Sequence, residues 1–234
     1  MQSLDSGLTA LAHRKRSLPQ NAQLAELAEK RSNVARQAVE FDTDVADLNT
    51  AQRKADADVE QVRQRRTRTQ QRLDAGQVSS PRELESLQHE LGTLDRRIGV
   101  LEDEELEVMQ RLETAATSLD AAHTEMAAID DAVVAEQKAL DEAVAGIDDE
   151  ASGLVVERER VSASVPEPLL ALYAKLREQM GGVGAAPLHQ RRCEGCRLEI
   201  NSADLRDIAA AAPDEVLRCP ECNRILIRTS ESGV

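Results

Sequence analysis

Between Pro81 and Ser164 apolar residues return at alternating steps of three and four for twelve heptads. One row runs Leu84, Leu91, Ile98, Glu105, Leu112, Leu119, Met126, Val133, Leu140, Ile147, Leu154 and Val161, with Glu105 its one polar member. The second row, Leu87, Leu94, Leu101, Val108, Ala115, Ala122 and Ile129, is apolar for seven positions and then turns mixed. A 3.5-residue period sustained this long is the pattern of a left-handed coiled coil. At 1.5 Å per residue the helix is about 125 Å long. Such a seam needs a partner helix.

The partner lies upstream. From Leu27 one row reads Leu27, Val34, Phe41, Leu48, Ala55, Val62, Thr69, and a second reads Arg31, Ala38, Val45, Gln52, Val59, Arg66, Leu73. An earlier amphipathic piece holds Leu4, Leu8, Leu11 and Leu18, and Pro19 then breaks the register as a new helix start or a kink. Gly76 is a helix stop. Ser80-Pro81-Arg82-Glu83 is a start, with Ser as N-cap, Pro at the first position and Glu closing a capping box. A short stop-and-start between two heptad helices makes an antiparallel hairpin. With the turn near residue 77, position i faces roughly 155 − i, which places Phe41 near Thr114 and Leu48 near Glu107. With one Phe, one Tyr and no Trp in 234 residues, the core is a seam rather than an aromatic-rich ball.

Ser164-Val-Pro-Glu-Pro168 ends the rod. A short helix follows with Leu169, Tyr173, Leu176 and Met180 on one face, where Tyr173 and Met180 read as packing residues. Gly181-Gly182 stops it, and Gly184 and Pro187 mark a linker. Cys193-Glu-Gly-Cys196 and Cys219-Pro-Glu-Cys222 then form two CxxC pairs, 22 residues apart. Each pair lets two thiolates converge from one tight turn, and two turns close a tetrahedron around Zn²⁺. The expected cofactor is one structural zinc held by Cys193, Cys196, Cys219 and Cys222. An iron–sulfur cluster or a redox dithiol is the alternative. Four sulfurs leave no coordination position for water, which argues against catalysis at the ion. Strand-like runs at Leu188–Arg192, Glu215–Arg218 and Arg224–Arg228, with a helix capped by Asn201 or Ser202 and running through Ala211, complete a ribbon layout.

The expected fold class is therefore mostly α: a long antiparallel coiled-coil hairpin with a small C-terminal zinc ribbon of α+β type. The hairpin covers 1–164 with its turn at about 75–80. A short helix and linker cover 165–186, and the C4 ribbon covers 187–234.

The net charge of −14 sits almost wholly on the helices, so an acidic rod repels nucleic acid along most of its length. Two local patches are exceptions. Arg63, Arg65, Arg66, Arg68 and Arg72 flank the turn, joined by Arg82 across it, and Glu83, Glu85 and Glu90 on the facing helix partly neutralise them. In the ribbon, Arg191, Arg192, Arg197, Arg224 and Arg228, with Arg218, make a second candidate surface, without an aromatic for base stacking. The four His are too scattered to form a ligand set. There is no phosphate loop, nucleophile–base pair or pocket-forming carboxylate pair. No apolar run is long enough to span a membrane, and no signal peptide is expected.

The tip Ser80-Pro-Arg-Glu-Leu-Glu-Ser-Leu-Gln-His-Glu90, the stretch Leu101-Glu-Asp-Glu-Glu-Leu-Glu107 and the ribbon end Arg218-Cys-Pro-Glu-Cys-Asn-Arg-Ile-Leu-Ile-Arg228 resemble the bacterial C4-type zinc-ribbon coiled-coil hairpin family. The resemblance covers nearly the whole chain. It implies a cytoplasmic, non-enzymatic protein. Relatives include flagellar regulators or chaperones and proteins that bind alternative sigma factors, and an RNA-binding role has been assigned within the family. The four Cys carry over as zinc ligands, and no partner-binding residue carries over. The leading expectation is an adaptor that presents ribbon and tip to protein partners, with the transcription apparatus as one candidate. The alternative is RNA or DNA binding through the Arg-rich tip, the ribbon, or both. A third is a structural oligomer built through exposed heptads. No small-molecule substrate and no membrane partner are expected.

Overall fold

The computed structural model describes residues Met1–Val234. Its elements are α1 (Gln2–Arg16), α2 (Pro19–Asp74), α3 (Pro81–Ser162), α4 (Glu167–Gln179), β1 (Ala185–His189), β2 (Arg192–Cys193), α5 (Ser202–Ala210) and β3 (Ile225–Ile227). The chain forms two compact units. One is Gln23–Glu136, and the other combines Met1–Ala22 with Gln137–Val234.

In the first unit α2 and α3 run antiparallel and close on their heptad rows. Val34, Ala38, Leu48 and Val59 on α2, and Leu87, Leu91, Leu94, Leu101, Ala122 and Ile129 on α3, are buried. Each fully buried Val, Leu or Ile contributes about 1.5–3 kcal/mol. Lys30 pairs with Glu125, Arg65 with Glu90 and Arg72 with Glu83, all on the 155 − i relation. Arg31 with Asp130, Arg66 with Asp95 and Arg63 with Glu102 reach farther along α3, as long side chains can. Phe41 and Thr114 line one groove together with Leu48 and Glu107. Arg31, a member of a heptad row, is exposed.

The turn follows its chemistry. Gly76 has φ +65°, a left-handed conformation that only glycine adopts without a Cβ penalty. The Ser80 Oγ accepts from the Glu83 N–H at 3.2 Å. The reciprocal arm differs from the expected box: Glu83 Oε2 accepts from the Ser79 N–H and Oγ, at 3.0 and 2.7 Å, rather than from Ser80. These bonds, with the Arg72 charge, hold the Glu83 carboxyl below its ordinary range. Ser80→Ala is expected to cost the helix start about 1 kcal/mol. Hydrogen exchange should register this as roughly fivefold faster exchange at the Glu83 amide.

In the second unit α1 ends at Arg16 and Pro19 opens α2, so Pro19 is a helix start rather than a kink. Tyr173 and Leu176 are the buried face of α4. Gly181 (φ +65°) and Gly182 (φ +96°) end it. The expected boundary at 187 falls inside β1, which begins at Ala185. Pro187 is therefore a strand residue and not a linker mark. It is paired in parallel register with Ile227, and the strand order is β2-β1-β3. The Leu188–Arg192 run is cut in two by Gln190 and Arg191, both at positive φ, which fold β1 back onto β2. Glu215–Arg218 is no strand. Only Arg218 makes a bridge, to Ile225. Asn201 is the N-cap of α5, its side chain accepting from the Ala203 and Asp204 N–H groups. Ala186, Leu188, Ile200, Leu205, Ile208 and Leu226 form the ribbon core with Cys193 and Cys219.

Candidate metal centre and its surroundings

The two CxxC turns are built alike. The Cys193 N–H donates to the Leu198 carbonyl at 3.1 Å, and the Arg197 N–H donates back to the Cys193 carbonyl at 2.7 Å. In the second turn the Cys219 N–H donates to the Arg224 carbonyl at 2.9 Å, and the Asn223 N–H to the Cys219 carbonyl at 2.8 Å. Arg197 (φ +61°) and Asn223 (φ +66°) occupy the same left-handed position, one residue past the second Cys. Asparagine suits that position, and arginine tolerates it at some cost. Each turn thereby aims two sulfurs at one point.

All four Sγ atoms lie within 4.8 Å of one another. Cys193 to Cys222, and Cys196 to Cys219, measure 3.9 Å. A tetrahedron with Zn–S bonds of about 2.3 Å has edges of about 3.8 Å, so the quartet fits one zinc ion. Both separations are nearly twice a disulfide length of about 2.05 Å. Burial pushes the Cys219 thiol up to about 12. Burial acts the same way on Cys222, but hydrogen bonds from Arg224 and from the neighbouring thiols outweigh it and bring that thiol to about 7. A Cβ at Gly195 would sit 2.7 Å from Arg224 Cδ. The glycine lets the arginine pass over the first turn.

The arginines of the ribbon do not form one free basic surface. Arg224 donates to the Val183 and Met180 carbonyls at 2.8 and 3.2 Å. Arg228 caps the end of α5, donating to Ile208, Ala211 and Ala212 at 2.9, 2.7 and 2.6 Å. Arg192 donates to the Arg197 carbonyl, Arg191 to Ser202 Oγ, and Arg218 to the Asn223 carbonyl. Among the six arginines expected there, only the Arg197 guanidinium makes no hydrogen bond. At the tip, Arg63, Arg65, Arg66 and Arg72 pair with Glu102, Glu90, Asp95 and Glu83 across the hairpin. Arg68 and Arg82 have no acid partner.

One polar cluster is absent from the sequence reading. Asp5 is 1% exposed. Its Oδ1 accepts from Arg158 Nε at 2.6 Å and lies 3.6 Å from Arg177, and its Oδ2 accepts from the Tyr173 hydroxyl at 2.6 Å. Gln2 Oε1 accepts from the Gly184 and Ala185 N–H groups, and its amide donates to the Gly182 carbonyl at 3.0 Å. Tyr173 is thus a hydrogen-bonding residue as well as a packing one. The one signal in the sequence is an acid beside the apolar stripe of Leu4 and Leu8. Its partners lie more than 150 residues away, where no local pattern can find them.

Long heptad helices paired across a capped turn, together with four converging thiols on a small sheet, define a zinc-ribbon coiled-coil hairpin protein. Residues 1–181 match the family model of the CT398-like coiled coil hairpin domain, and residues 192–226 match the C4-type zinc ribbon domain. The chain belongs to the CT398-like family. It is 36% identical over 228 residues to the uncharacterized protein Rv2229c of Mycobacterium tuberculosis, covering 97% of this chain and 92% of that one. A solved structure from Mycobacterium smegmatis is similar at a TM-score of 0.81 and 32% identity, over 97% of this chain and 94% of that one. CT398 from Chlamydia trachomatis shares the fold at a TM-score of 0.67 and 17% identity, with the same coverage of 97% and 94%. No helix is long and apolar enough to cross a membrane.

Proposed function

We propose that this chain is a non-enzymatic, cytoplasmic adaptor that offers its zinc ribbon and its hairpin tip to protein partners, with the transcription apparatus as the candidate setting. The observation that supports this most is the four-sulfur metal site. A C4 centre has no open position for substrate or water, so its ion serves to hold a surface in shape. The Gln2 and Asp5 contacts support the same reading, because they fasten the start of the ribbon to α1, α3 and α4 within one unit. A binding head benefits from such fastening through lower ordering cost on association.

The test is a cross-linking pull-down from the native cell, run with nuclease, using the intact chain and a Cys193→Ser/Cys196→Ser variant. Partners captured by the intact chain and lost by the variant are the expected result. Identical partner sets would remove the ribbon from the mechanism. A second reading, nucleic-acid contact at the tip, draws on Arg68 and Arg82, the two tip cations without acid partners. It requires RNA or DNA affinity that falls steeply with salt and drops in an Arg68→Glu/Arg82→Glu variant.

A further inference from the structure

The acids of the first unit are concentrated where its two helices face each other midway. Glu40–Glu60 of α2 holds seven acids against Arg53 and Lys54, and Glu102–Glu113 of α3 holds six against Arg111. That is −10 of the chain's −14. Cross-helix ion pairs flank the stretch, at Lys30 and Arg31 on one side and at Arg63 on the other. No ion pair joins the helices in between. Glu105, the lone acid of its heptad row, shares a hydrogen bond with Asp56, and that bond, together with burial and like charge, holds its carboxyl above its ordinary range. Glu102 apart, which Arg63 holds, the acids of this stretch have no ion-pair partner on the facing helix.

An open groove of about 820 Å³ runs along this stretch. Phe41, the only phenylalanine in the chain, lines it with Leu48 and Val108, and Asp44, Asp47 and Glu107 stand among them. A second concavity of about 500 Å³ shares Glu107 with it and adds Asp103, Glu104 and Leu106. Leu106 is 54% exposed. Apolar contacts and acids thus share one surface, between two parallel ridges of side chains that a third helix can enter.

We propose that this acid-rimmed groove is a docking surface for a cationic amphipathic helix of a partner protein, whose apolar face meets Phe41 and Val108 and whose Lys or Arg residues meet Asp44, Asp47 and Glu107. Charge complementarity selects the occupant, and the apolar floor selects a helix over a plain polycation. The surface is distinct from both the ribbon and the tip, so it holds whether or not either of those binds.

The test uses the full zinc-loaded chain and a fluorescent 18-residue peptide of Leu and Lys at helical spacing, read by anisotropy at physiological salt. Asp44→Lys/Asp47→Lys/Glu107→Lys is expected to weaken binding at least tenfold. Asp131→Lys/Asp141→Lys/Asp149→Lys, with the same change in net charge, is expected to weaken it less than threefold. Phe41→Ala should weaken it about tenfold with the acids intact. Should a variant lose helicity, amide shifts on the intact chain decide, with peptide-induced changes expected at Ala51 and Ala115. Equal losses in the two triple variants, or equal binding of a Ser–Lys peptide without leucines, would overturn the proposal. So would a concentration-dependent dimer abolished by the groove variant, since a second copy would then be the occupant.

Discussion

Removal of zinc, by a chelator or by Cys219→Ser, is expected to unfold residues 185–234 while the α2–α3 pairing over 23–136 survives. The ribbon has strands of five, two and three residues and a small buried core in which two of the residues are ligands. A domain this small draws only about 3–5 kcal/mol from its core. Structural zinc supplies an apparent 10–16 kcal/mol in comparable domains. Without the ion, the buried thiols of Cys193 and Cys219 lose the partner that justified their position. The measurement is hydrogen exchange by mass spectrometry. Amides of β1 and β3 should lose protection after chelation, and amides around Val34, Ala38 and Ile129 should keep theirs. Persistent protection at Ile225–Ile227 would show that the ribbon stands without its metal.

Asp5→Ala is expected to destabilise the second unit by about 1–3 kcal/mol, the range for losing a buried, charge-assisted hydrogen-bond acceptor whose cationic partners can still reach water. It removes the acceptor of the Arg158 guanidinium, which is 36% exposed, and leaves the Tyr173 hydroxyl with Gln2 Oε1 alone, at 3.2 Å. Asp5→Asn should cost less, because the amide oxygen still accepts one hydrogen bond. The pH dependence follows from the same contacts. Burial raises the Asp5 carboxyl, but the Tyr173 and Arg158 hydrogen bonds and the charges of Arg158 and Arg177 outweigh it, leaving it below its ordinary range. The folded state therefore binds this proton more weakly than the unfolded chain. The stabilisation is complete above the unfolded carboxyl value and is lost as pH falls through the lower folded one. Tyr173 is the chain's only Tyr, with no Trp present, so intrinsic emission reads this cluster directly. Release of Tyr173 from the carboxylate that quenches it should appear as a rise in emission on acidification. In Asp5→Ala the emission should already be high at neutral pH.

The two positions show different limits of sequence reading. The metal centre was legible because its chemistry is local: two residues between cysteines fix a turn, and four thiols within a short span have few other uses. The hairpin was legible because apolar side chains at a 3.5-residue period bury only against a matching seam, and Gly76 and Ser80 mark where one helix stops and the next begins. The glutamate arm of the cap lies on Ser79 rather than Ser80, since the two serines offer the same groups and only backbone geometry chooses between them. The bounds of the ribbon strands are poorly legible for a similar reason. Runs of three to five residues carry little periodic signal, and the left-handed bends at Gln190 and Arg191 are set by pairing with β2, Glu231 and Ser232.

Charge was the property least legible. An arginine-rich stretch reads the same whether its guanidiniums face solvent, pair across a seam or cap a helix. Packing assigned Arg228 to the end of α5, Arg224 to the turn after α4, and four tip arginines to acids on α3.

What the chain determined by itself was the heptad pairing, the site of reversal and the metal quartet, because each is written as a repeated or closely spaced pattern of residue types along the chain. What tertiary structure alone decided was the Asp5 cluster, the fate of the arginines and the unpaired acids around Phe41. Those depend on which distant side chain arrives opposite, and a buried or facing charge is defined by its neighbours in space rather than along the chain.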